Sequence, residues 1–512
     1  MYKVNHIKLK RLLGFVMLLL ALIFTNINVL QSLAAPLPQE DSPYDKIDIS
    51  EVIPNSVDET IQLGGDSTEA KNPKLDSSIA ELITIASKYP QTAPSLAEKN
   101  SLKLSEGKIQ VHIVTDKILL DKALEVINQS GGEVTIISHD KTLLQAWLPF
   151  TAIEPLSYEE SIYYIRRPDI AYYNEEPSLN IDQIGKSVTE GLQVLNGNAW
   201  HSTGYLGQGV KVAIIDGGFA GYQALLGTDL PATVTVKNFV DGETDAQVIE
   251  SSDHGTACTE IVHDIAPQAQ LFLVKSNTIL ELENAVDWLI SQNVDVISTS
   301  FGFFISSPGD GTGFLSNLVQ RARNGGILWI VSSGNWRLEH WGGSYTPGLS
   351  DYHYWTKKQI INWFGPGGDE KYLIRSGVDI KAFLSWDDWT TVNQDYDLIL
   401  FRSEDGNHWQ SVKNSTNIQS GSPGHRPTEY ITYKTSGDPA CYGFAIKRIN
   451  SSRNVNFEFF AINVTPLDEI LVARSMYNLP DAPAALAVGA QDFTTPYLQH
   501  DYSSEGPTNG PG

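Results

Sequence analysis

Two residues of this chain, Asp216 and His254, could take part in acid–base chemistry, and a third polar residue, Asn335, follows a later apolar segment. Asp216 ends the apolar run 210–215, and His254 lies 38 residues later, at the predicted start of a helix. A helix N-terminus carries positive potential, so a histidine that accepts a proton there needs a nearby carboxylate. Asp216 is one candidate, although an aspartate at a strand end is as often a helix cap or a ribose ligand. Asn335 follows Gly334 and by itself would be taken for a turn residue.

The segments around these residues alternate between strands and helices. We predict strands at 210–215, 271–274, 294–298, 327–331 and 485–488, and helices at 257–265, 281–291 and 314–324. This alternation predicts an α/β fold with an open, doubly wound, mostly parallel sheet, whose ligands bind at the carboxyl ends of the strands. Asp216, Ser300 and Asn335 all lie just past predicted strand ends. In the helix after His254, the spacing of Ala257, Ile261 and Ile265 predicts that this face is buried.

Two further regions have other patterns. Residues 79–170 show the order β-α-β-β-α-β, with strands at 109–114, 134–137, 143–148 and 162–165 and helices at 119–127 and 153–161. That order predicts a small ferredoxin-like α+β module. Residues 346–465 are rich in aromatic and polar residues and contain short alternating runs, which predict a β-sandwich inserted into the α/β domain. We expect its aromatic residues to form mainly its own core, with binding of a surface or substrate as the alternative.

The overall composition excludes some classes of protein and partner. Of 512 residues, 41% are hydrophobic and 19% charged, as in a globular protein, and the formal net charge of -24 argues against a nucleic-acid partner. Residues 1–34 predict a secretory signal peptide, because basic residues precede the apolar run 12–24 and small residues follow it. An uncleaved membrane anchor is the alternative, but the run is short for a full span. We therefore expect a secreted protein, with residues 35–78 as a flexible linker.

Neither cysteine is expected to form a disulfide, and no metal site is expected. Cys258 and Cys441 lie far apart in the sequence and in different predicted domains. His263 lies nine residues past His254, which is not the spacing of a helical metal pair. No cofactor is expected; structural calcium is possible, but no acidic loop has a recognisable ligand spacing.

Taken together, the motifs resemble those of the subtilisin-like serine proteases, the subtilases. The matching segments are Val212-Ala213-Ile214-Ile215-Asp216, His254-Gly255-Thr256, Val296-Ile297-Ser298-Thr299-Ser300-Phe301-Gly302, Ser333-Gly334-Asn335, Ala487-Val488-Gly489-Ala490 and Tyr502-Ser503-Ser504-Glu505-Gly506-Pro507-Thr508. The resemblance implies a catalytic domain in two parts, 190–345 and 466–512, separated by the insertion. It also implies peptide-bond hydrolysis of protein or peptide substrates.

The resemblance implies a role for each site residue. Asp216 would orient His254 and stabilise its imidazolium form, and His254 would act as general base and then general acid. The Asn335 side chain would donate a hydrogen bond to the oxyanion. Ser300, Phe301 and Gly302 would form the strand that pairs with the substrate, and Ser332, Ser333 and Gly334 the wall of the specificity pocket. Cys258 stands where thiol-containing subtilases carry a cysteine, which implies sensitivity to mercurials; a buried small residue is the alternative.

The nucleophile of the family is missing from this sequence. Subtilases place it in a Gly-Thr-Ser-x-Ala-x-Pro segment, and no Gly-Thr-Ser occurs here. Ser503 and Ser504 match a pair that lies upstream of the nucleophile. We expect the serine to lie beyond Gly512, so that the 512-residue chain by itself is inactive. The alternative is a catalytically dead scaffold that acts as a secreted binding protein through its β-sandwich.

By the same resemblance, the α+β module at 79–170 would be a prodomain that serves as intramolecular chaperone and inhibitor. Its C-terminal tail, near 166–176, would lie in the cleft. We expect the precursor to be cleaved somewhere within 167–190.

Overall fold

The computed structural model describes residues 61–62, 72–89, 93–173, 188–356, 359–364, 373–463, 467–492 and 498–510. The predicted signal peptide 1–34 and most of the predicted linker 35–78 lie outside these residues. No helix in the described ranges is long and apolar enough to cross a membrane. The described chain forms an antiparallel module, a parallel sheet flanked by helices, and a two-sheet insertion.

The first module packs helices against an antiparallel sheet. Its elements are β1 (Ile61–Gln62), α1 (Ser77–Lys88), α2 (Ala93–Lys99), β2 (Leu104–Ser105), β3 (Lys108–Val114), α3 (Leu120–Gln129), β4 (Glu133–Ile137), β5 (Leu143–Pro149), α4 (Phe150–Ser157), β6 (Tyr164–Arg166) and β7 (Tyr172–Tyr173). Strand β3 lies centrally, between β5 on one side and β2 and β6 on the other, and β4 pairs with β5. The order from β3 to β6 is β-α-β-β-α-β.

Two details of this module differ from the sequence-based expectation. The helix expected at 153–161 spans Phe150–Ser157. The segment expected to be a linker already contains structure, since β1 pairs in parallel with Trp409–Gln410 and Leu75 is buried. Helix α1 begins two residues after Leu75. Its start is fixed by the Asp76 side chain, which accepts a hydrogen bond from the Ser78 N–H and caps the helix.

The parallel sheet carries helices on both faces. Its region contains α5 (Glu190–Val194), α6 (Gly197–Ser202), β8 (Lys211–Asp216), α7 (Tyr222–Leu225), β9 (Thr235–Asn238), α8 (His254–Ile265), β10 (Gln270–Lys275), α9 (Ile279–Ser291), β11 (Val296–Thr299), β12 (Phe301–Gly302), α10 (Phe314–Asn324) and β13 (Leu328–Ser332). The strand order is β22-β13-β11-β8-β10-β9, where β22 is Ala485–Val488, and every pair is parallel. The predicted α/β class with a mostly parallel sheet is confirmed.

Alternate residues of β8 show why both faces of the sheet are covered. Ala213 and Ile215 belong to the core that α9 and α10 share, whereas Val212 and Ile214 belong to the core on the other face. A strand buried on both faces needs a continuous apolar run, which 210–215 supplies apart from Lys211.

The insertion consists of two sheets that share one core. Its strands are β14 (His340–Ser344), β15 (Asn362–Trp363), β16 (Asp379–Trp386), β17 (Asp395–Ser403), β18 (Trp409–Ser415), β19 (Thr428–Lys434), β20 (Cys441–Asn450) and β21 (Asn456–Ile462). One sheet has the order β14-β21-β16-β19 and the other β1-β18-β17-β20-β15. The first strand begins before the predicted boundary at 346. Its two glycines, Gly342 and Gly343, weaken any strand signal, and pairing with β21 determines its structure.

Candidate active site

Strand β8 and helix α8 bring Asp216 and His254 together. His254 Nδ1 lies 2.8 Å from Asp216 Oδ2. The Asp216 side chain is fully buried, and its other oxygen accepts a hydrogen bond of 2.8 Å from the Gly217 N–H. The carboxylate is therefore held in place, and the second ring nitrogen of His254, Nε2, is left to act on another group.

Glycines allow this approach of helix to strand. A Cβ at Gly255 would lie 2.5 Å from the Gly218 carbonyl oxygen and 2.8 Å from Asp216 Cβ. A Cβ at Gly218 would lie 2.6 Å from the Ser252 nitrogen. Any side chain at either position would push the start of α8 away from the end of β8 and lengthen the contact between His254 and Asp216.

The same approach decides which face of α8 is buried, and here the expectation from the sequence was wrong. The buried residues of the helix are Gly255, Thr256 and Thr259, whereas Ile261 is 48% exposed and Ala257 is exposed too. Small residues face the sheet because the helix axis must come close to β8. The spacing of hydrophobic residues had predicted burial of the opposite face of the helix.

Charge compensates for the position of His254 at a helix N-terminus. Burial by itself lowers the pKa of the His254 imidazole, but the hydrogen bond to Asp216, the neighbouring Cys258 and the carboxylate charge raise that pKa above its usual range. Asp216 therefore stabilises the imidazolium form of His254, which is the form the ring has once it has taken up a proton.

Asn335 lies on a turn that follows β13. Gly334 has a φ of +107°, a conformation that favours glycine, and a Cβ there would meet the rings of Trp336 and Tyr477. The Asn335 amide has no hydrogen-bond partner among the residues described. It is therefore available to donate to a bound group.

The Ser503-Ser504 pair supports this turn. Ser504 donates its N–H to the Gly334 carbonyl at 2.8 Å, and its hydroxyl accepts from the Trp336 N–H at 2.9 Å. The Ser503 hydroxyl accepts from the Ala490 N–H at 2.9 Å. Both serines are buried. Their hydroxyls are thus engaged with backbone groups, which argues against either one as a nucleophile.

Ser332 and Ser333 lie at the end of β13, next to the same loop. The Ser332 hydroxyl lies 2.9 Å from the Tyr477 hydroxyl, and the Ser333 hydroxyl donates to the Ser504 carbonyl at 3.1 Å. The two predicted pocket residues therefore fix the loop that carries Asn335.

The tail of the first module lies as a strand across this region. Tyr172 and Tyr173 pair in antiparallel fashion with Gly302 and Phe301. On the other side of the tail, the Ala171 N–H donates to the Asn277 carbonyl at 2.7 Å. Backbone pairing of this kind binds any extended peptide independently of its sequence.

Side chains of the tail add specific contacts. The Tyr173 hydroxyl donates to the Ser276 carbonyl at 2.6 Å. A Cβ at Gly217 would lie 2.6 Å from the Tyr173 ring, so the glycine next to Asp216 leaves room for this side chain. The edge formed by 276–278 was not expected from the sequence, because nothing in Ser276-Asn277-Thr278 distinguishes it from an ordinary loop before a helix.

Cys258 and His263 occupy different parts of α8. Cys258 Sγ lies 3.9 Å from both ring nitrogens of His254. The donor atoms of Asp216, His254 and Cys258 all lie within 4.8 Å of one another, a spacing that could accept a metal ion in place of the Asp216–His254 hydrogen bond. His263 lies in the last turn of the helix. Cys258 is a free thiol.

Comparison with known proteins agrees with this geometry. The sequence model described as the subtilase family matches residues 207–416. Subtilisin amylosacchariticus from Bacillus subtilis subsp. amylosacchariticus is 28% identical over 285 residues, covering 51% of this chain and 69% of the relative. Subtilisin E from Bacillus subtilis (strain 168) is 29% identical over 229 residues, covering 42% of this chain and 55% of the relative. The chain thus spans between 55% and 69% of the length of these relatives.

Similarity to solved structures is weaker. The CspB protease of Clostridium perfringens has a TM-score of 0.37 at 13% identity, covering 61% of this chain and 74% of that chain. Fervidolysin from Fervidobacterium pennivorans has a TM-score of 0.29 at 17% identity, covering 46% of this chain and 41% of that chain. The family model and the sequence relatives therefore assign residues 207–416 to the subtilisin-like family of serine proteases, the subtilases.

Proposed function

We propose that the chain belongs to the precursor of a secreted serine endopeptidase that hydrolyses peptide bonds with an Asp-His-Ser triad. The observation that carries the proposal is the 2.8 Å contact between His254 Nδ1 and Asp216 Oδ2, beside an edge strand that pairs with the chain's own tail, Tyr172–Tyr173. An imidazole, a buried carboxylate that stabilises its imidazolium form and a strand that can pair with a peptide form the environment that acyl transfer needs.

In this mechanism Asp216 keeps the His254 proton on Nδ1, so that Nε2 can take the proton of a serine hydroxyl. The serine oxygen then attacks the scissile carbonyl carbon, and Asp216 stabilises the imidazolium that results. His254 returns the proton to the leaving amine, and the acyl-enzyme is hydrolysed when a water molecule repeats the sequence. Loss of the Asp216 carboxylate should lower kcat about 10⁴-fold, since the wrong tautomer is then favoured.

Asn335 would stabilise the charge that develops on the carbonyl oxygen. Its amide, on the rigid turn after Gly334, would donate to the oxyanion of the tetrahedral intermediate. Removing one such donor typically costs about 3–4 kcal/mol in transition-state stabilisation.

The serine itself is proposed to come from a Gly-Thr-Ser-x-Ala-x-Pro segment that follows Gly512. The motif does not occur in the 512 residues, and no serine hydroxyl in the described part of the chain contacts a ring nitrogen of His254. The 512-residue chain alone should therefore not hydrolyse casein.

The first module is proposed to inhibit the enzyme until the precursor is cleaved within 167–190, of which 174–187 lie outside the described residues. The antiparallel pairing of Tyr172–Tyr173 with Phe301–Gly302 supports this idea, because a bound tail excludes substrate from the same strand. Secretion is proposed on the signal-like sequence of residues 1–34.

The test is labelling of the mature, full-length gene product with a biotinylated fluorophosphonate, which reacts with activated serines. We expect labelling of the wild type, none of His254→Ala, and normal labelling of His263→Ala, a matched control on the same helix. If the mature wild type is not labelled, the protease proposal fails. The remaining alternative is a secreted scaffold that binds partners, for instance carbohydrate, through its sandwich.

A further inference from the structure

One sheet of the inserted sandwich carries aromatic residues on its outer face. Phe383 of β16 lies directly opposite Tyr430 of β19 and Phe460 of β21, so the three rings form a row across neighbouring strands. Their neighbours Ala382 and Leu384 point the other way, into the core of the sandwich. Outer faces of sandwiches are normally polar, so a row of this kind indicates that something covers it.

Residues from outside the insertion cover the row. The guanidinium carbon of Arg167 lies 3.5 Å from the centre of the Tyr430 ring. Phe304, two residues past the edge strand, stacks on Phe383 with ring centroids 4.4 Å apart and an interplanar angle of 19°. Tyr172 of the tail meets Phe304 at 5.2 Å and Phe383 at 5.1 Å, both edge to face. The Lys381 ammonium lies 5.4 Å from the centre of the Tyr172 ring. Tyr172 is buried as a result.

The backbone of the tail explains why Tyr172 and Tyr173 have different surroundings. Successive side chains of an extended strand point to opposite sides. Tyr173 packs against Phe301, next to Gly217 on the catalytic side. Tyr172 points to the insertion. Because the pairing with Gly302 and Phe301 uses only backbone, any peptide bound in that register would present one side chain to each surface.

We propose that the inserted sandwich builds a subsite of the peptide-binding cleft, formed by Phe383, Tyr430, Phe460 and Phe304, which accepts an aromatic side chain of a polypeptide substrate at the strand position of Tyr172. The subsite selects phenylalanine or tyrosine, since edge-to-face and cation–π contacts both need a ring. This inference rests on the proposed function, because it assigns a substrate class to the same cleft.

Peptide binding tests the subsite without requiring catalysis. The protein is the full chain with Tyr172→Ala and Tyr173→Ala, which weakens the hold of its own tail. The probe is a fluorescein-labelled peptide with the sequence of residues 168–173, and its partner has alanine in place of the first tyrosine. Burial of one aromatic side chain predicts that the first peptide binds about 10- to 100-fold more tightly, measured by fluorescence anisotropy.

The preference should depend on the insertion. In a Phe383→Leu background, which keeps a side chain of similar volume in the sheet, the difference between the two peptides should fall to about threefold or less. Lys434→Ala, at an exposed position on the same sheet, should leave the preference unchanged. Melting temperatures of all variants identify any that fail to fold. Equal binding of the two peptides to the tail-weakened protein would overturn the proposal.

Cleavage separates this inference from the proposed function. The mature enzyme is given two fluorogenic peptides that differ only by an aromatic residue or alanine at the same position. A 10- to 100-fold higher kcat/KM for the aromatic peptide supports the subsite. Equal cleavage refutes the subsite and leaves the protease intact. Absence of any cleavage refutes the protease, and the binding experiment then decides whether the aromatic subsite exists.

Discussion

Mild acid should weaken the first module through the buried imidazole of His112. This side chain of β3 has no exposed surface. Its Nδ1 lies 3.4 Å from the Asp169 backbone nitrogen, and its Nε2 lies 3.4 Å from the Gln145 side-chain oxygen. A neutral ring with its proton on Nε2 satisfies both contacts, whereas a protonated ring would lose the acceptor that the Asp169 N–H uses.

Burial, followed by the positive charge of Arg166, lowers the pKa of His112 to about 3. The charge of Asp169 and the hydrogen bond with Gln145 raise this pKa, and the charge of Arg426 lowers it further. In the unfolded chain the ring titrates near its ordinary value of about 6.5. Between these values the unfolded state binds more protons than the folded state, so stability falls as the pH drops below about 6.5 and the loss is complete near pH 3. At pH 5 the loss amounts to about 2 kcal/mol.

Hydrogen exchange measured by mass spectrometry can locate this loss. We expect the opening free energy of the β3 segment to fall by about 2 kcal/mol between pH 7 and pH 5 in the wild type, after correction for intrinsic exchange rates. The His112→Asn variant, which keeps a hydrogen-bonding side chain but cannot be protonated, should lack this loss.

His353→Asn is the matched control. His353 lies in the inserted sandwich, and burial lowers its pKa to about 3 as well. Its replacement should relieve acid sensitivity in the sandwich and leave that of β3 unchanged. If wild type and His112→Asn lose the same protection in β3 between pH 7 and pH 5, the reasoning about the buried neutral imidazole is wrong.

Three further substitutions test the contacts around the site. Gly255→Ala should lower stability by about 1–3 kcal/mol and reduce kcat/KM, because the new methyl group overlaps the Gly218 carbonyl oxygen and the Asp216 side chain; a melting temperature equal to that of the wild type would contradict this. Mercuric chloride should block fluorophosphonate labelling by binding Cys258 beside His254, and Cys258→Ser should remove the effect. Arg426→Ala should increase hydrogen exchange of the tail by about 10- to 100-fold, because the Arg426 guanidinium donates a hydrogen bond of 2.9 Å to the buried Asp169 carboxylate. Unchanged exchange would show that the sandwich does not anchor the tail.

Much of the catalytic sheet could be predicted because its signals are local. The run 210–215 is apolar enough for a strand buried on both faces, and the residues after it must lie at the carboxyl edge. The motif order then placed Asp216 and His254 in one site, and the structure has them 2.8 Å apart. Their catalytic roles, and that of Asn335, stay predictions until the labelling and kinetic tests are made.

The parts that could not be predicted depend on contacts between distant segments. Hydrophobic spacing in α8 favoured burial of Ile261, but the need for a close approach to β8 favours the glycine and threonine face. The role of residues 276–278 as a second pairing edge can be recognised only from the structure, in which the tail hydrogen-bonds to it. The row of aromatic residues around Phe383 was assigned to the core of the sandwich, because alternation gives no sign of which face of a strand is outermost.

The point of insertion explains how the sandwich comes to border the cleft. The chain leaves for the sandwich directly after the Asn335 turn and returns at Tyr477, whose ring would lie 2.3 Å from a Cβ at Gly302. The next residue, Asn478, exchanges two backbone hydrogen bonds with Phe303, at 2.7 and 3.0 Å. One end of the insertion is thus tied to the predicted oxyanion turn and the other to the edge strand. The sandwich therefore borders both walls of the cleft.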